Sequence, residues 1–305
     1  MHGGVAHDLR ANRLGVAVYR LQITLLFLAP VLALAMLYAL GLSIPVPVLG
    51  RGYVVRFELP DPGAQMALPP IGGPLDPTRP LVVIDAGHGG HDPGAIGAGY
   101  REKAITLGLA KALRDELVRQ GGIRVALTRA DDRFLVLGER AELARRMGAE
   151  LFLSIHADSA GEQGGVSGAS IYTLSDTASS EAAARFAARE NSADVVNGVS
   201  VARQADSVTA ILVELSQRRV QERSAEFAGL VVREGEGVLQ FHASPVRSAG
   251  LAVLRAPDVP SALFEAGFIT NPDDAARLAS ADGQQRYAKV LSQAIRVYFA
   301  RQTTL

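Results

Sequence analysis

Two histidines and two glutamates in this chain stand in segments that suit chemistry better than packing. His88 follows the apolar run Val83-Ile84-Asp85-Ala86 and is flanked by Gly87, Gly89 and Gly90. His156 closes Leu151-Phe152-Leu153-Ser154-Ile155, Glu265 follows Ala262-Leu263-Phe264, and Glu102 opens an amphipathic stretch. Two imidazoles with one carboxylate are the donor set of a catalytic zinc that keeps one position open for water. A second carboxylate then supplies the general base that such a metal requires. Glu265 ends a strand expected to be buried, where a carboxylate is costly unless it is paired, metal-linked or protonated.

Each residue also has an ordinary reading. A histidine in a glycine turn can simply bond backbone, and a histidine ending an apolar strand is often a satisfied core residue. Glu102 at a helix start suits the macrodipole on any surface, with Lys103 as its partner. His91 either lines the site or orients a ligand. Asp158 either caps the next turn or holds an imidazole in its tautomer. His242 has no acidic neighbour in sequence and reads as structural; His2 and His7 precede an apolar segment. The glycines around His88 let the backbone turn sharply and approach a ligand. They do not form a nucleotide cradle: the third glycine of a dinucleotide fingerprint is missing and no Gly-Lys-Ser/Thr follows.

These residues must be carried by an α/β framework. Strand-like runs occur at 81–85, 123–128, 151–156, 168–174, 251–254 and 261–265, alternating with helical stretches at 103–119, 137–147, 177–191, 206–234 and 284–301. In the first helix Ile105, Leu109, Leu113 and Leu117 share one face, and Gly121-Gly122 stop it. Such alternation predicts a single domain over 80–303 with a mostly parallel, roughly six-stranded sheet flanked by helices. His88, His156 and Glu265 then gather at the C-terminal strand ends, where open α/β sheets bind ligands.

The 305 residues are long enough for one large domain and an appendage. Cysteine is absent, which excludes disulfides, thiolate zinc sites and cysteine nucleophiles. The formal net charge is zero, and there is no basic patch or aromatic platform for nucleic acid. Residues 21–42 carry no charge and are long enough to span a bilayer. Arg10, Arg13 and Arg20 precede them, so 1–20 is expected in the cytoplasm and the remainder exported. The span reads as an inner-membrane anchor, with a cleaved signal or a buried core helix as alternatives. Residues 43–79 are rich in Pro and Gly and read as a linker, interrupted by a strand-like piece at 53–59.

The ordered blocks Val83–Ala95, Arg101–Lys103, Ser154–Asp158 and Val253–Asn271 resemble the zinc-dependent N-acetylmuramoyl-L-alanine amidases of bacterial cell-wall turnover and division, over about 81–299. The resemblance implies Zn2+ held by His88, Glu102 and His156, with Glu265 as the catalytic acid–base. It implies peptidoglycan as substrate, cut between the lactyl group of N-acetylmuramic acid and L-alanine of the stem peptide. The long segment 176–236 is similar to an insertion that, in division amidases, holds a helix over the zinc. Glu190 matches its inhibitory glutamate, which implies a protein activator that draws the helix away. The stretch Val208–Val213 reads as core or as activator-facing. Many relatives carry a targeting β-domain before the linker, and here only 53–59 could be its remnant. The expected location is the periplasmic side of the inner membrane, or the periplasm if 21–42 is removed. Two rival readings remain: a zinc peptidase cutting the stem elsewhere, and a wall-binding protein with a vestigial site.

Overall fold

The computed structural model describes residues 67–159, 165–196, 199–200 and 210–302, with eight isolated helical positions between 22 and 36. Of the expected membrane span 21–42 only those eight positions are described, and the strand-like piece 53–59 and the basic N-terminus lie outside the described residues. Among the described residues no helix is long and apolar enough to cross a membrane. The chain divides into two compact units, Met1–Ala64 and Gln65–Leu305. Only the second is described element by element.

Its elements run in chain order as strands β1 (Ile71–Gly72), β2 (Leu81–Ala86), β3 (Ile96–Gly97) and β4 (Tyr100–Arg101), helix α1 (Glu102–Gln120), β5 (Arg124–Leu127), α2 (Leu137–Arg146), β6 (Leu151–Asp158) and β7 (Ala169–Leu174). Helix α3 (Glu181–Glu190) and a 3-10 turn (Asn191–Asp194) follow, then β8 (Val195–Val196), β9 (Val199–Ser200), α4 (Ala210–Gly235) and β10 (Phe241–Ala249). A second 3-10 turn (Ala252–Leu254), β11 (Ser261–Phe268), α5 (Pro272–Ala279) and α6 (Ala281–Gln302) complete it.

Seven strands form one mixed sheet in the order β1-β5-β2-β6-β11-β7-β10. The central β5, β2, β6 and β11 are parallel; β7 runs antiparallel to β11, β10 parallel to β7, and β1 antiparallel to β5. The apolar runs form these strands because both faces are covered. Alternate residues feed two cores. Val82, Ile84, Leu151, Leu153 and Phe264 pack under α1, α4, α5 and α6, and Val83, Phe152 and Leu263 pack under α2, α3 and the second 3-10 turn. Helix α1 buries Ile105, Leu109, Leu113 and Leu117, and ends where the Gly121 N–H returns to the Leu117 carbonyl.

The sheet differs from expectation in three places. Residues 251–254, read as a strand, form the 3-10 turn instead; Leu251, Val253 and Leu254 are apolar because they plug the second core. The strand at that edge is β10, whose Pro245 and Arg247 hide it in sequence; an edge strand tolerates proline. Ile71–Gly72, expected in the linker, joins the far edge, giving seven strands where about six were expected.

The segment 176–236 contains two differently packed parts. Its second half, α4, buries Phe227, Ala228, Leu230 and Val231 in the main core. The part beside the site is α3 with its 3-10 turn, which bring Arg189, Glu190, Ser192 and Ala193 to the cleft. The side chains of Val208–Val213 lie outside the described ones.

Candidate active site

The site forms where β2 and β6 deliver imidazoles side by side. Gly87, just past β2, donates its N–H to the Ile155 carbonyl at 3.0 Å, which keeps the chain beside β6 as it turns. A Cβ on Gly87 would stand 2.4 Å from His156 Nε2, so bare backbone is required for the ring to fit. His88 then adopts φ +60°, an uncommon conformation for a residue with a side chain. The two rings meet edge to face, their centroids 4.8 Å apart. Gly94, at φ +65°, passes so close that a Cβ would lie 2.6 Å from His88 Cδ2.

Glu102, the first residue of α1, reaches into the same point. Its Oε1 lies 3.1 Å from His88 Nε2 and 3.1 Å from His156 Nδ1. Backbone N–H groups of Ala157 and Ala95 donate to Oε1 and Oε2 at 2.9 and 2.8 Å. Glu265 stands opposite His156 in the parallel register of β11 and β6. Its Oε2 accepts from the Asp158 N–H at 2.9 Å, while Oε1 is buried with no hydrogen-bond partner among the described residues.

Glu190, the last residue of α3, is buried against both imidazoles. Its Oε2 is 3.2 Å from His156 Nδ1 and 3.7 Å from His88 Nε2. Ser180 caps the start of α3 by accepting from the Ala183 N–H. Its far end is docked on two sides. Asn191 donates to the Gly250 carbonyl at 2.8 Å and accepts from the Ala252 N–H at 2.7 Å. Asp194 accepts from the Leu137 N–H at 3.0 Å, at the start of α2. Phe186 stacks on Tyr172 at 4.5 Å.

The supporting residues take these places. His91 packs against Phe134, centroids 4.1 Å apart, and lines the mouth of the cleft. The residue bonded to His88 is Asp92, whose Oδ2 is 2.7 Å from Nδ1. Its signal in sequence was an acid four residues after the histidine, hidden by the glycine turn. Asp158 turns its carboxylate to Arg189 of α3 rather than to an imidazole. His242 lies on edge strand β10 against Arg247 and plays no part in the site.

Sequence reasoning also missed the frame behind His88. Asp85, wholly buried, accepts from Thr128 Oγ1 at 2.6 Å, Ser154 Oγ at 2.7 Å and Arg140 Nη1 at 2.9 Å. Arg140 and Arg129 are themselves fully buried, although an arginine in sequence reads as surface charge.

The electrostatics follow from burying so many acids together. Burial alone would push the His88 imidazole down, but Glu102 and Asp92 overcome it and hold its pKa up at about 10. For His156 burial is likewise outweighed, by Glu190 and Glu102, and its pKa is raised to about 10. Glu102 would be raised by burial, yet the two imidazoles pull it well below the usual range. Glu265 goes the other way: burial, then Asp158, Glu102 and Glu190, drive it well above an ordinary carboxyl. Burial carries Asp158 to about 7 against the pull of Arg189.

These residues fit a divalent cation. His88, His156 and Glu190 offer ligand atoms within 4.8 Å of one another, all buried. His88 Nε2 is a buried nitrogen with no hydrogen bond among the described residues, while its Nδ1 is held by a carboxylate. Such a ring has one nitrogen fixed and the other presented, as metal-bound histidines do. Imidazole and carboxylate donors without thiolate suit zinc.

Comparison with known proteins agrees with this geometry. The profile described as N-acetylmuramoyl-L-alanine amidase matches residues 82–297. Over 221 residues the chain is 37% identical to N-acetylmuramoyl-L-alanine amidase AmiA of Escherichia coli K12, covering 72% of this chain and 76% of that protein. It is 36% identical over 231 residues to AmiC of Escherichia coli O6:H1, covering 74% of this chain but only 55% of that longer relative. Among solved structures, N-acetylmuramoyl-L-alanine amidase AmiC2 of Nostoc punctiforme superposes with a TM-score of 0.52 at 28% identity, covering 72% of this chain and 97% of that one.

Proposed function

Because this chain belongs to the N-acetylmuramoyl-L-alanine amidase family, we propose that it is a zinc-dependent, self-blocked hydrolase of peptidoglycan. It cleaves the amide between N-acetylmuramic acid and the L-alanine of the stem peptide. The observation that carries this reading is the meeting of His88, Glu102 and His156 at one sheet edge, with Glu265 in register beside them.

His88 Nε2, His156 Nδ1 and Glu102 would hold the metal. Zinc there supplies Lewis acidity toward a water and the scissile carbonyl. The remaining work falls to the chain. Asp92 fixes the His88 ring through Nδ1. Glu265, one oxygen anchored by the Asp158 N–H and the other unengaged, takes the proton of the attacking water and returns it to the leaving amine. Burial raises its basicity, which suits a group that must both accept and give.

Glu190 adds the regulation. Its carboxylate lies where a substrate carbonyl would have to approach the imidazoles. The closed state is inactive, and a protein partner that prefers the open state releases it. Residues 21–42 tether the enzyme to the inner membrane, or direct its export, so the catalytic unit works on the periplasmic side in wall remodelling and daughter-cell separation.

The test is mass spectrometry of purified peptidoglycan incubated with zinc-loaded residues 80–305, alongside Glu190→Ala and Glu265→Gln. Stem peptides beginning at L-alanine, most abundant with Glu190→Ala and absent with Glu265→Gln, support the reading. Fragments cut elsewhere in the stem assign a peptidase instead.

A further inference from the structure

Three successive carbonyls leave β2 on the way into the site, those of Ala86, Gly87 and His88, and two buried guanidinium groups take all three. Arg129 Nε and Arg140 Nη1 both donate to the Ala86 carbonyl at 2.8 Å. Arg129 Nη2 donates to the Gly87 carbonyl at 2.8 Å, joined there by Thr106 Oγ1 at 2.9 Å. Arg140 Nη2 donates to the His88 carbonyl at 2.8 Å. Each fork also reaches a second element. Arg129 Nη2 bonds the Lys103 carbonyl at 2.8 Å, in the first turn of α1 beside Glu102. Arg140 binds Asp85, which in turn holds Ser154 two residues before His156.

We infer that Arg129 and Arg140 are positioning residues for the metal: together they hold His88 in its positive-φ turn and set Glu102 and His156 in register with it. The inference rests on the zinc reading above. Its physical basis is geometric. A planar fork with several donors satisfies carbonyls at fixed angles, which an ammonium on a flexible stem does not. A backbone left in a sparsely populated region needs surroundings that over-determine it. Neither arginine touches the metal donors; both act through the backbone that carries them.

The experiment compares Arg140→Lys, Arg129→Lys and Thr106→Val in the full chain. Zinc dissociation constants are read by chelator competition, and the visible absorption of the cobalt-substituted proteins reads ligand geometry. Melting of the metal-free proteins is measured in parallel. Loss of an outer partner of a ligand weakens zinc by about 10- to 100-fold, and the Arg→Lys variants are expected in that range, with shifted cobalt bands. Thr106→Val, close in shape to the native residue, carries the test if a lysine variant does not fold. It removes one of the hydrogen bonds to Gly87 and is expected to weaken zinc by about 3- to 10-fold. A merely structural role would lower the melting temperature and leave zinc affinity and the cobalt spectrum unchanged; that result overturns the inference. Wild-type protein that binds no zinc overturns the metal reading itself, and with it this one.

Discussion

Glu190 Oε2 and His156 Nδ1 lie 3.2 Å apart, although the two residues are 34 positions apart in sequence and one belongs to α3, the lid of the proposed closed state, the other to the sheet. With zinc on His156 Nδ1, the Glu190 carboxylate would face the cation in its place, and a contact to a charged group contributes about 1.5–3 kcal/mol. That corresponds to roughly a 10- to 100-fold bias toward the closed state. Glu190→Ala is expected to raise partner-free release of stem peptides within that range. Unchanged release in a zinc-loaded, folded variant would remove Glu190 from the regulation.

The lid has anchors that do not involve the metal donors. Asp194 accepts from the first N–H of α2, and removing such a cap costs about 0.5–2 kcal/mol. Asp194→Ala should therefore lower the melting temperature slightly and raise basal activity with Glu190 still present. A loss of stability without any gain in activity would show that this contact belongs to α2 alone.

Glu265→Gln keeps the shape of the side chain but cannot take a proton. Turnover is expected to fall by about 10²- to 10⁴-fold, with zinc content measured by atomic absorption unchanged. Zinc lost together with activity would make Glu265 a holder of the metal rather than its base.

Asp92→Asn tests the partner of His88. An amide in place of the carboxylate weakens the hold on Nδ1, and zinc affinity should drop by about 10- to 100-fold. Chelator titration at equal protein concentration reads this directly. Equal affinity would leave Asp92 as a turn residue.

Gly87→Ala puts a methyl group 2.4 Å from His156 Nε2. The ring must move. Overpacking of this sort costs about 1–3 kcal/mol in stability, and the variant should bind zinc much more weakly than its melting temperature alone would suggest. A normal zinc constant would mean that His156 can relocate without penalty.

How much of this was legible in the sequence depended on what each residue was doing. His88, His156 and Glu265 stood out because apolar strands ended in groups that are costly to bury, and the fold brings all three to one edge. Helix α1 announced itself by the spacing of its leucines and by its glycine stop. Asp92, Arg129 and Arg140 did not stand out. Asp92 holds the His88 ring, Arg140 pairs with the buried Asp85, and both arginines serve backbone carbonyls; nothing in a string of letters marks a carbonyl that needs a donor. Strand β10 was hidden for a related reason: an edge strand with proline and arginine lacks the apolar run by which central strands are found. The segment 176–236 stands out in sequence by its length between two strands, whereas only the packing shows that α4 belongs to the core while α3 reaches the site.

The burial of Glu190 also sets a clock. If the Glu190 carboxylate keeps substrate from the imidazoles as proposed, it stands equally in the way of any small chelator. Metal can then escape only as often as α3 lifts, so the rate of zinc loss to a large excess of chelator counts lid openings per second. That rate needs no wall substrate and no partner. An enzyme made in one compartment and used in another would carry its metal across the interval behind the same bolt that keeps it idle.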